Sequence, residues 1–106
     1  MSDEKNKVTA FWDDSEGYSP ISARRAVTTR FYNELLSQAT ANIPKFSRDA
    51  ALQSKDVVGR AYWKSLDDNW VRRVAGEVVA HMVANRLVPL TFIHCRHCTI
   101  KRYRRI

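Results

Sequence analysis

Apolar residues recur at helical spacing in three stretches of this chain and switch to a strand-like pattern in a fourth. Ile21, Val27, Phe31, Leu35 and Ala39 mark the first stripe, widened by Tyr32 and Leu36. Ser19 suits the cap and Pro20 the first helical position, so the pattern predicts a helix over about 20–42, stopped ahead of Pro44. Phe46–Leu52 reads as a short helical turn capped by Ser47. Val57, Val58, Ala61, Tyr62 and Leu66 predict a second helix over 55–66, with Ser54 as its cap, Asp56 in its first turn and Gly59 inside it. Asp67-Asp68-Asn69 is a compact break. Trp70, Val71, Val74, Val78 and Met82 then predict the longest helix, 70–85, with Asn85 stopping it in the left-handed conformation.

Beyond Asn85 the period changes. Leu87–Ile93 is rich in β-formers. Cys98–Ile106 alternates, with Ile100, Arg102, Arg104 and Ile106 on one face and Thr99, Lys101, Tyr103 and Arg105 on the other. A polar bend near Arg96-His97 joins the two runs, predicting a terminal β-hairpin over 87–106. The expected fold is mainly α with a C-terminal hairpin, preceded by an acidic, flexible arm (1–18) whose Val8–Trp12 patch packs back on the domain.

Charge changes the picture most. The 106 residues carry 18 basic and 11 acidic groups, a net +7. The arm accounts for −3, residues 19–85 for +4, and residues 86–106, which contain no acid, for +6. Such an imbalance points to a polyanionic partner. No apolar run is long enough to span a membrane, and the first residues lack the apolar stretch of a secretory signal. A cytoplasmic location with reduced cysteines is therefore expected.

Two helices joined by a three-residue turn form the helix-turn-helix pattern, and a basic hairpin follows them. The stretches Ser54-Lys55-Asp56-Val57-Val58-Gly59-Arg60, Trp70-Val71-Arg72-Arg73-Val74-Ala75-Gly76 and Thr99-Ile100-Lys101-Arg102-Tyr103-Arg104 carry this order. In it the chain resembles the small winged helix-turn-helix DNA-binding proteins common among bacterial and phage regulators. The turn departs from that pattern in having no glycine. The resemblance implies that helix 70–85 enters the major groove of double-stranded DNA, with Asn69, Arg72 and Arg73 at its base-reading end. Arginines in a first helical turn oppose the helix dipole by about 0.3–1 kcal/mol each, so a phosphate or guanine contact, or neutralisation by Asp67 and Asp68, should account for them. On a helical wheel Gly76, Ala80 and Val83 also fall opposite the apolar stripe. The wing would present Arg96, His97, Lys101, Arg102, Arg104 and Arg105, and Lys55, Arg60 and Lys64 would add phosphate contacts. Tyr103 reads as packing on the hairpin.

Other readings stay open on the same residues. The basic tail suits an acidic protein partner or RNA, and the weakly polar Ala80–Ala84 stretch suits a homodimer seam. Cys95 and Cys98, flanked by His94 and His97, are half of a zinc site; free thiols are the simpler reading because no second ligand pair exists, with a disulfide as the remaining alternative. No Gly-rich phosphate loop, nucleophile elbow or Glu-bearing zinc motif is present, so no enzyme, cofactor or small-molecule substrate is expected. Glu34 and Glu77 look isolated, and His81, on the apolar side of its helix, reads as a satisfied core histidine.

Overall fold

The computed structural model describes residues 17–66, 68–94 and 100–106. The arm before residue 17 and the bend with Cys95, Arg96, His97, Cys98 and Thr99 lie outside them. The architecture is mixed α/β, with two small antiparallel sheets rather than one hairpin.

The chain enters through β1 (Tyr18–Pro20), which pairs with β2 (Ala26–Thr28). The residues taken above as the first turns of a helix are therefore a hairpin. Its tip closes where the Arg25 carbonyl accepts the amides of Ile21 and Ser22. Pro20 sits at the strand end, where its missing N–H costs no ladder bond. The β-branched run Val27-Thr28-Thr29 suits a strand better than a helix interior. Helix α1 starts only at Thr29 and runs to Asn42, capped by Thr28, whose hydroxyl accepts the Phe31 amide at 3.2 Å. Phe31, Leu35 and Ala39 are buried on its inner face, and Ile43 continues the stripe.

A single 3₁₀ turn (Ile43–Lys45) follows, then the two-residue strand β3 (Ala51–Leu52), in place of the helical turn expected over 46–52. The expected second helix is two pieces, α2 (Ser54–Val58) and α3 (Arg60–Ser65). Gly59 separates them at φ +94, a value that L side chains rarely adopt; an added Cβ would also come within 2.8 Å of Asn42 Nδ2. Ser54 is the first helical residue, not the cap. Gln53 takes that place, its amide donating to the Asp56 carboxylate at 2.9 Å.

Helix α4 (Asn69–Ala84) matches its expected bounds to within a residue and is capped by Asp68, whose carboxylate accepts the Trp70 amide at 2.7 Å. Val71, Val74, Ala75, Val78, Val79, Met82 and Val83 bury its inner side. Val83, placed above on the outer face, belongs to the core. The helix ends with Asn85 in an ordinary conformation. Arg86 takes the left-handed one, at φ +59.

Strands β4 (Leu90–Phe92) and β5 (Tyr103–Arg105) form the expected hairpin, but β5 is the centre of a three-stranded sheet in the order β3-β5-β4. Leu52 and Phe92 both lie opposite Tyr103, and the Tyr103 side chain is fully buried. Among the described residues no helix is long and apolar enough to cross a membrane.

Candidate functional site

The first turns of α4, the start of α2, the end of α3 and the residues before β5 surround an open cleft of about 660 Å³. Lys55 of α2, Arg72 and Arg73 of α4, and Lys101 line it, together with Trp63, Gly76, Glu77 and Ile100. Three stretches far apart in sequence thus deliver four of the expected basic residues to one concavity. The β3-β5 pairing fixes Lys101 here, since the strand it precedes is held beside the segment that leads into α2.

The four cations differ in freedom. Arg72 is half-buried and acts as a clamp, its Nε donating to the Trp63 carbonyl at 3.3 Å and Nη1 to Asn69 Oδ1 at 3.4 Å. These bonds join α3 to α4 and engage Asn69 as well, so neither residue is a free base reader in this state. Lys101 and Arg73 are exposed, and neither forms an ion pair among the described residues.

Residues outside the cleft divide similarly. Arg60 is engaged with Asp56 of its own helix pair, at 2.9 Å. Lys64 is exposed on α3. Arg102 and Arg104 are exposed, and Arg104 lies between the small Ala51 and Thr91, which leaves the outer face of the sheet clear around it. Arg105 is half-buried with its Nε enclosed, because strand alternation turns it to the same side as Tyr103; it is a poor phosphate contact. His94 is exposed. Arg96 and His97, with the candidate zinc ligands Cys95 and Cys98, lie outside the described residues.

Sequence reasoning missed Arg25. Its guanidinium Nε sits 2.6 Å from Glu77 Oε1, and its carbon lies 4.6 Å from the centre of the Trp70 ring. Glu77 is thus a partnered acid, not an isolated one, and Glu34 likewise accepts from Gln38 at 3.3 Å. A glutamate four residues after Arg73 on a helix would ordinarily pair with it. Arg25 reaches over from the β1–β2 hairpin and takes that acid instead, which leaves Arg73 without an ion pair among the described residues. No local pattern in the sequence announces such a long-range pair.

His81 is held by the Tyr32 hydroxyl at 2.7 Å, as expected of a satisfied histidine. Burial pushes the phenols of Tyr32 and Tyr103 above their ordinary range, with the Ser54 side chain pulling Tyr103 the other way. Burial, with the Glu34 charge adding to it, pushes Tyr62 up to about 12.

A second groove of about 780 Å³ runs from Val83 and Leu87 to Phe92 and Ile106, lined mostly by apolar residues with Arg86 and Thr91 among them. Leu87, Phe92 and Ile106 are each about half exposed on it. Compared with models of known families, with characterised proteins and with solved structures, the chain matches none of them.

Proposed function

We propose that this chain binds double-stranded DNA as a small transcriptional or replication regulator, with a winged-helix arrangement in which α4 enters the major groove. The observation that carries the reading is the convergence of Lys55, Arg72, Arg73 and Lys101 on one cleft beside the first turns of α4. Among the described residues a single acid, Glu77, lines it with them, and Arg25 pairs with that acid. The topology supports it too. A helix, a short strand, a helix pair, a longer helix and two strands follow in order, with the last strand central to the sheet. In this reading the loop between β4 and β5 is the wing, and Arg102 and Arg104 follow the phosphate backbone.

Titration with a short duplex over a range of salt concentrations tests the proposal. Affinity should fall linearly on logarithmic axes, with a slope of about −0.9 for each phosphate neutralised. Lys55→Ala and Lys101→Ala should each flatten that slope by about one phosphate. Absence of binding at low salt, or binding indifferent to salt, overturns the reading, and preference for structured RNA over duplex replaces the DNA partner.

The exposed apolar groove favours a second reading, a protein-interaction module that pairs with a copy of itself or with another chain through Leu87, Phe92 and Ile106. A salt-independent dimer without nucleic-acid affinity, seen by sedimentation, would establish it in place of the first.

A further inference from the structure

The cleft contains two features that phosphate binding does not require, an acid and a mid-helix glycine, and both lie beside Arg73. Glu77 follows Arg73 by one helical turn, and Gly76 lies between them on the same wall of the cleft. The carboxylate is not adrift. Oε1 is held by Arg25, itself stacked against Trp70, while Oε2 has no hydrogen-bond partner among the described residues. A carboxylate paired this way through Oε1 can still accept one N–H at Oε2. Gly76 is not demanded by the fold. Its φ is ordinary, and an added Cβ would meet only Ser54 Oγ, at 3.8 Å. Glycine in a helix interior is unfavourable, so a fold that has room for a methyl group there gains nothing from leaving it out.

Together these point to a flat-edged ligand that approaches the helix backbone between one fork of donors and one acceptor. In duplex DNA that edge is a G·C pair in the major groove. Guanine offers O6 and N7 to an arginine, and cytosine offers its N4 amino group to a carboxylate. We propose that Arg73, Gly76 and Glu77 form a reader of G·C base pairs, with Glu77 as the specificity-determining residue and Arg25 as the group that positions it. The inference rests on the DNA-binding reading above and adds base choice to it.

The test measures the whole chain at fixed salt on two duplexes of equal length, one G·C-only and one A·T-only, with two chemically altered G·C duplexes beside them. Replacing guanine by 7-deazaguanine removes the N7 acceptor, and replacing cytosine by N4-methylcytosine obstructs the amino edge. The unaltered G·C duplex should bind about tenfold tighter than the A·T duplex, the size of one good base contact. Each alteration should erase most of that preference. Glu77→Gln should bind both plain duplexes more tightly, having lost a negative charge, but with a smaller ratio between them and with no response to N4-methylcytosine. Arg73→Ala should lose its response to 7-deazaguanine. Gly76→Ala, which the fold accommodates, should weaken the G·C duplex more than the A·T duplex.

Equal affinity for the two plain duplexes overturns the inference and leaves DNA binding standing. A Glu77→Gln variant that shifts both affinities by one factor, with the ratio intact, reduces Glu77 to a structural acid and also overturns it. Failure to bind any duplex at low salt removes both readings together.

Discussion

The two small sheets use their arginines in opposite ways. The β1–β2 hairpin turns Arg25 inward, onto Glu77 and the Trp70 ring, where its charge is neutralised before any ligand arrives. The β3-β5-β4 sheet keeps Arg104 outward, between two short side chains, and tucks only Arg105 away. Net charge therefore overstates what a ligand meets. What matters is which cations the fold has already engaged: Arg25 and Arg60 are in ion pairs, Arg72 is bound to Trp63 and Asn69, while Arg73, Lys101 and Arg104 are exposed and in no ion pair among the described residues.

Substitutions can separate these roles, beginning with the residue on which the second sheet depends. Tyr103→Ala should cost about 3–5 kcal/mol, the range for emptying a buried aromatic site, and lower the urea midpoint accordingly. Arg25→Met should cost about 1–3 kcal/mol in the same assay, between the values for exposed and buried ion pairs, since both partners are partly shielded. Alkali should act through the buried phenols. Tyr62 titrates from an ordinary value of 10.0 when unfolded and at about 12 in the fold, so the unfolded chain loses its proton first. Stability should hold below pH 10 and decline as pH rises toward 12, read as a falling urea midpoint with incomplete phenolate absorbance in the folded protein. Gly76→Ala should raise stability by about 0.5–1 kcal/mol, a gain in thermal midpoint that accompanies weaker DNA binding. Arg104→Ala should change stability by no more than about 0.5 kcal/mol while weakening binding to all sequences alike, the reverse of Arg25→Met on the stability scale.

Legibility from sequence followed the same division between local and distant causes. Helix α4 was readable because its stripe is long and Asp68 caps it locally. The β1–β2 hairpin was misread because Ile21 and Val27 happen to stand at helical spacing and Ser19-Pro20 imitates a helix start. Strand β3 has only two residues, too few for any period; it exists because β5 offers it a partner. The break at Gly59 was visible as a glycine but not as a left-handed residue pressed against Asn42. In the site, the types of Lys55, Arg73 and Lys101 were legible while their meeting was not. The Arg25–Glu77 pair joins residues with no local relation, which is why Glu77 reads as an isolated acid in the sequence.

The pairing of Leu52 with Tyr103 also sets an order of events in folding. The helices can close on local contacts, whereas β3 must wait for a strand on the far side of both the helix pair and α4, and contacts that enclose so long a loop form late. Until β5 docks, Lys101 has nothing to hold it against Lys55 and Arg73. The amide of Arg105, bonded to Ala50 in the finished sheet, should accordingly gain protection from hydrogen exchange after those of α4 in a pulse-labelled refolding experiment. If the chain binds DNA as proposed, affinity for the polyanion would arise in the same step that completes the sheet, so that only finished molecules would compete for the ligand.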